Sequence, residues 1–207
     1  MWNWLFAPLV QTAAQSSCGF VFGYFSGELE GGAIGAGITG ICGAVLSWSL
    51  AAKRSYDWSS ISGWAQYIMD CTWSFVNTIV GAVFLMLNYM TFSFPSTAVS
   101  SEHQGSLVLR RGIFPGFATT LGNVMAGGTP GILRHEGVHV LQARIFGPAY
   151  IPLVIANYIV ATLLPYWLVY HDHGRRPIKS LGAYFMRGVY THVWNEEWAY
   201  SVEGTPP

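Results

Sequence analysis

His135-Glu136-Gly137-Val138-His139 sets two imidazoles one helical turn apart with a carboxylate beside the first. Residues at i and i+4 share one face of an α-helix, so both rings reach a single divalent ion. Glu136 points toward the same cleft, where it can accept a proton from a water polarised by that ion. Two imidazoles leave such a site incomplete: a third protein ligand and an open position are needed. The remaining segments must therefore bring a third donor to this helix.

Composition says where the helix must work. Of the 207 residues, 52% are hydrophobic and only 10% charged, against about a quarter charged in soluble domains. A mean hydropathy of +0.36 agrees, and the bilayer is the expected principal partner. A formal net charge of zero gives no basic face for nucleic acid, so no nucleic-acid partner is expected. Nine Trp and eleven Tyr suit rings placed at headgroup depth. Cys18, Cys42 and Cys71 each lie in an apolar stretch and read as small hydrophobes, without disulfide or metal-ligand spacing. The N-terminus Met1-Trp2-Asn3-Trp4 lacks the basic region of a cleavable signal.

The fold class expected is mainly α, with multi-pass membrane helices over residues 1–99 and a small α+β domain over 100–207. Ala33 to Ala52 is uncharged and long enough to span, stopping at Lys53-Arg54; Leu5 to Gly27 is a poorer span, rich in Gln, Thr and Ser. Gly19, Gly23, Gly27, Gly31 and Gly35 recur every fourth residue. That spacing strips one face of side chains and lets two backbones approach, so a hairpin breaking at Glu28 and Glu30 is expected. The same glycine-lined helices offer a surface to membrane-protein partners.

Cys71 to about Phe94, ended by Pro95, reads as a further span, with Ser55 to Gln66 interfacial. Ser106 to Arg110 and Phe117 to Met125, punctuated by Gly112, Pro115 and Gly116, predict a small β-hairpin. Thr129 and Pro130 predict the N-cap and first turn of the motif helix, and Gly147-Pro148 its end. Residues 145–170 are uncharged but interrupted by Pro148, Pro152 and Pro165, which favours a re-entrant or interfacial segment. A last helix is expected from about Ser180 to Val202.

The pentapeptide has the HExxH form of zinc peptidases, and Asn195-Glu196-Glu197-Trp198-Ala199-Tyr200 resembles the string carrying the third ligand in the gluzincin branch of the zincin metallopeptidases. The resemblance covers residues 105–203 at most. It implies Zn2+ as cofactor, His135, His139 and Glu196 as metal ligands, and Glu136 as general base. It also implies Ala199 at the small position where two helices approach, a hairpin edge strand aligning an extended peptide, and a peptide substrate. His192, four residues before Glu196, shares its helix face and is a candidate oxyanion-stabilising catalytic residue. Gluzincins place an Asp where Tyr200 stands, and that carboxylate orients the first ligand histidine; Gln142 or a backbone carbonyl is the expected substitute. Gly137 within the helix suggests close approach of another segment. The string His-Glu-x-x-His-x-x-Gln followed by Phe146-Gly147-Pro148 looks like small bacterial membrane proteins with the same signature, which implies the bacterial inner membrane.

The other charged groups attract plainer readings. His171-Asp172-His173 is a rival metal site but reads as a solvated turn beside Arg175 and Arg176; His103 has no role; Arg134 and Arg144 are expected to snorkel. The positive-inside rule puts Lys53-Arg54 and Arg175-Arg176 in the cytoplasm. It puts Arg110, Arg111 and the motif across the membrane if residues 71–94 span. Two functions compete: a membrane-embedded zinc-dependent peptidase, and a non-catalytic accessory subunit of a respiratory or photosynthetic type of complex with a structural or vestigial metal.

Overall fold

The computed structural model describes residues 2–102, 105–129 and 131–205; His103 and Pro130 lie outside them. The chain is mainly helical with one small sheet. It divides into two compact units, Met1–Pro148 and Ala149–Pro207.

In the first unit, helix α1 (Trp2–Ala52) leaves helical geometry at Gly27 and Glu28, where Glu28 has φ 52°. The chain doubles back there, at the point the two acidic residues predict. A side chain at Gly23 would collide with the Gly31 carbonyl, and one at Gly19 would lie 2.5 Å from the Gly35 carbonyl. The glycine spacing thus lets the two arms pack backbone to backbone, and Thr39 Oγ1 crosses between them to donate to Gln15 O at 2.7 Å.

The span expected at 71–94 belongs to a bent pair of helices that together are long and apolar enough to count as one broken span or a re-entrant loop. Helix α2 (Ile61–Cys71) and helix α3 (Phe75–Met90) meet at an 85° bend. The sixteen residues of α3 extend only about 24 Å, short of the roughly 30 Å hydrocarbon core. The bend has a use. Ser74 Oγ donates to Ala143 O at 3.0 Å, Trp73 Nε1 to Ile145 O at 3.1 Å, and Asn77 Nδ2 to Ala143 O and Gly147 O at 3.1 and 2.7 Å. These carbonyls lie in the last turn of the motif helix α5 (Leu133–Phe146) and at its C-cap Gly147, whose own N–H also donates to Ala143 O. The elbow between α2 and α3 therefore braces the end of α5.

A short helix α4 (Thr97–Glu102) leads into the expected hairpin, which is part of a mixed three-stranded sheet. Strands β1 (Leu107–Leu109), β2 (Thr119–Leu121) and β3 (Val124–Ala126) lie in the order β1-β3-β2, β1 parallel and β2 antiparallel to β3. The run 117–125 is not one strand, because Gly122 (φ 58°) turns the chain between β2 and β3. Glycine is needed there: a side chain would meet Asn77 O. The period of two sorts β1 and β3 between two cores. Leu107, Leu109, Val124 and Ala126 pack with Leu46, Leu50 and Leu85, while Val108 and Met125 pack with Leu133 and Val140 of α5.

Helix α5 begins at Leu133 with Ile132 as N-cap and no side-chain cap, later than Thr129-Pro130 predicts. Gly147-Pro148 does end α5, with Gly147 as its C-cap, but the chain stays helical beyond it. Gly147–Ala149 winds as a 3-10 turn, and helix α6 (Tyr150–Leu163) follows. Pro152 falls in the first turn of α6, where a missing N–H costs little.

Among the described residues, two helical stretches are long and apolar enough to cross a membrane, Leu5–Ala52, which contains the break at Gly27-Glu28, and Leu133–Leu163; the bent pair α2–α3 makes a third if it counts as one span. Leu163 and Leu164 at the end of α6 are 73% and 68% exposed, as lipid-facing residues would be.

The second unit centres on Ala161, Trp167, Val189 and Val193. The expected last helix is not continuous. A turn, a π-helical stretch (Tyr184–Val189) and another turn reach His192, and Val193 is extended (ψ 141°) before helix α7 (Trp194–Glu203). Asn157 Oδ1 accepts from Trp194 N at 3.0 Å and so serves the first turn of α7.

Candidate metal centre

His135 and His139 are both buried on α5, with ring centroids 5.1 Å apart. Sequence spacing alone sets this pair. His139 Nδ1 donates to Gln142 Oε1 at 3.0 Å, and Gln142 is fully buried. The bond fixes the tautomer and leaves Nε2 of His139 as the coordinating atom, the usual arrangement for a metal-ligating imidazole. Gln142 therefore does orient a histidine, the second of the pair.

Glu136 is 96% buried and accepts from Thr120 Oγ1 of β2 at 2.5 Å. Thr120 stands on the edge strand of the sheet, and its hydroxyl fixes one carboxylate oxygen.

Glu196 is buried on α7 and accepts from Asn195 Nδ2 at 3.0 Å. Among the described residues, His135, His139 and Glu196 form a group able to hold a metal ion, their three ligand atoms all within 4.8 Å of one another. Two neutral nitrogens and one carboxylate, all buried, suit Zn2+ in number and chemistry. Ala199, three residues on, is fully buried.

His192 has a different set of partners. Its Nδ1 donates to Gly188 O at 2.7 Å, its ring stacks on Trp167, and it lies 5.0 Å from the His171 ring and 5.3 Å from Tyr170, centroid to centroid. His171 is buried rather than solvated; its Nε2 donates to Arg176 O at 2.7 Å. Asp172 and Arg175 do form the expected exposed turn, Asp172 Oδ1 accepting from Gly174 N and Arg175 N at 3.0 Å. A Cβ at Gly137 meets nothing within 4 Å among the described residues, so close approach is not what places glycine there.

Arg134 is exposed, but Arg144 does not snorkel. Its Nε donates to Asp70 Oδ1 at 2.9 Å, and Nη2 donates to Asp70 Oδ2 and Gly105 O, both at 2.7 Å. Tyr56 OH donates to Asp70 Oδ2 at 2.7 Å. Burial and the neighbouring Asp70 carboxylate push the Tyr56 hydroxyl well above its ordinary range, so it remains a donor. This network ties the last turn of α5 to α2. The sequence held a signal for it: Asp70 is the lone charge between Asp57 and Glu102, as Arg144 is between Glu136 and Asp172. A charge isolated in apolar sequence needs a partner. Thr120 gives no comparable signal, since a strand threonine facing a carboxylate looks like any other.

Searches of protein families, curated proteins and solved structures find no match to this chain, so the zincin resemblance rests on the motif residues alone.

Proposed function

We propose that the chain is a membrane-embedded, zinc-dependent hydrolase of peptide bonds. The observation that carries this reading is the buried group of His135, His139 and Glu196, with ligand atoms within 4.8 Å, beside a buried carboxylate on the same helix as the two imidazoles. When bound there, Zn2+ would supply Lewis acidity and lower the pKa of water to about 7. His135, His139 and Glu196 hold the ion, and Gln142 keeps the His139 ring in its ligating orientation. Glu136 takes the proton of the attacking water on the carboxylate that Thr120 steadies, then returns it to the leaving amine. The free edge of β2 carries Thr120, so an extended peptide paired along it would place a carbonyl near that carboxylate.

The two apolar stretches support a multi-pass protein, and the bacterial signature string supports residence in a bacterial inner membrane. The test is the variant Glu136→Gln in purified, detergent-solubilised protein. Zinc stays near one per chain by elemental analysis, and peptide hydrolysis falls by at least about a hundredfold, the scale of general-base catalysis. Full activity in that variant refutes the mechanism.

A further inference from the structure

Beyond the metal group, the second unit holds a cavity of about 290 Å³ that the proposed hydrolysis does not use. Arg175 and Arg176 line it together with Tyr170, His171, Asp172, His192 and Glu197. The two signs balance. Asp172 is spent on its own turn, accepting two backbone N–H groups and lying 3.6 Å from Arg175 Nε. Glu197 has one hydroxyl partner, Tyr170, at 3.3 Å.

Both imidazoles give one nitrogen to a backbone carbonyl, His171 through Nε2 and His192 through Nδ1. Each ring's opposite nitrogen is then an acceptor. Burial, with the Arg176 guanidinium nearby, depresses the affinity of His192 for a second proton. The walls thus offer both cationic forks and carboxylate and imidazole acceptors. Adjacent guanidiniums match the oxygens of a phosphate. The acceptors and the Tyr170 ring suit an ammonium.

Position adds a further constraint. The cavity residues follow directly on the apolar stretch Leu133–Leu163. Leu164 and Val169 are strongly exposed next to the cavity-lining Tyr170 and the part-exposed Tyr166. Exposed aliphatics followed by aromatic rings and paired arginines mark headgroup depth. A bare phosphate would leave most of the volume empty.

We propose that this cavity binds a zwitterionic phosphate ester, a phosphate with a primary ammonium a few bonds away, as in the headgroup of an ethanolamine phospholipid or its water-soluble analogue. Arg175 and Arg176 hold the phosphate; Glu197 and the two imidazoles take the ammonium. The inference is independent of the hydrolase reading.

The test uses the full chain in a neutral detergent with equal amounts of phosphatidylethanolamine, phosphatidylglycerol and phosphatidylcholine of identical acyl chains, counting retained lipids by native mass spectrometry. The ethanolamine lipid is expected to be retained about tenfold over the other two. Arg175→Gln/Arg176→Gln loses that retention about tenfold, one charge-assisted contact's worth, with an unchanged thermal midpoint. Glu197→Gln keeps binding but erases the preference over phosphatidylglycerol. Glycerophosphoethanolamine, titrated against the His171 and His192 imidazole NMR signals, separates the sources. A saturable shift that the double Arg variant lacks assigns a soluble ligand; no shift, with lipid retained, assigns the lipid. Equal retention of all three lipids, preference for phosphatidylglycerol, or an unaffected double variant overturns the proposal.

Discussion

Replacing Asp70 by Asn tests what holds the motif helix in place. The substitution keeps the shape but removes the charge from a carboxylate that is 1% exposed and accepts two bonds from Arg144 and one from Tyr56. Arg144, itself 7% exposed, is left as a buried cation with Gly105 O as its remaining acceptor in this network. Removing one partner of such a buried pair costs about 3–5 kcal/mol, because the survivor has lost its hydration and its counter-charge together. At about 2–4 °C per kcal/mol for a chain of this size, the thermal midpoint should fall by about 6–20 °C. The assay is thermal unfolding in detergent of Asp70→Asn, Arg144→Met and the Asp70→Leu/Arg144→Met double variant. The double variant should recover most of the loss, since two apolar side chains leave no stranded charge. If Asp70→Asn melts within about 2 °C of the parent, or the double variant is no better than either single one, the pair does not anchor α5 as described.

Three further outcomes follow from the same geometry. Gln142→Ala removes the acceptor of His139 Nδ1 and should weaken zinc binding by about 10–100-fold in a chelator competition. Gly122→Ala forces a Cβ into left-handed backbone against Asn77 O and should cost at least about 1–3 kcal/mol by thermal melting. An unchanged midpoint would show that the turn can reshape. Below pH about 6.5, the ordinary histidine value, stability should fall as pH drops through the depressed value of buried His192, because the unfolded chain takes up the proton more readily. His192→Gln should flatten that part of the profile of thermal midpoint against pH.

The parts of the fold that sequence discloses are those set by local spacing. His135 and His139 meet because i and i+4 always do, and the glycine arms of α1 meet because a repeat of four leaves one face bare. Gln142 was foreseeable for the same reason, three residues from His139. What sequence concealed depends on distant partners. Asp70 and Arg144 stand 74 positions apart; each is visible as a lone charge, yet nothing local names the other. The parallel pairing of β1 with β3 skips over β2, so neighbouring strands in sequence are not neighbours in the sheet. The bend between α2 and α3 falls at 72–74, where neither proline nor glycine marks a break, and Val193 interrupts a stretch that hydropathy reads as one helix. Glu196 stands out in the sequence only through the likeness of its surroundings to a ligand string, not through spacing.

The elbow that closes α5 grips main-chain oxygens rather than side chains, and this makes the two sides of the joint unequal under mutation. Ile145, whose carbonyl is held by Trp73 while its side chain is 48% exposed, can change identity without loosening the joint. Ser74 and Asn77 have no such latitude, because each supplies the hydrogen itself. A saturation library across both segments should therefore enrich variety at 145 and purge it at 74 and 77, although all three positions flank one helix end.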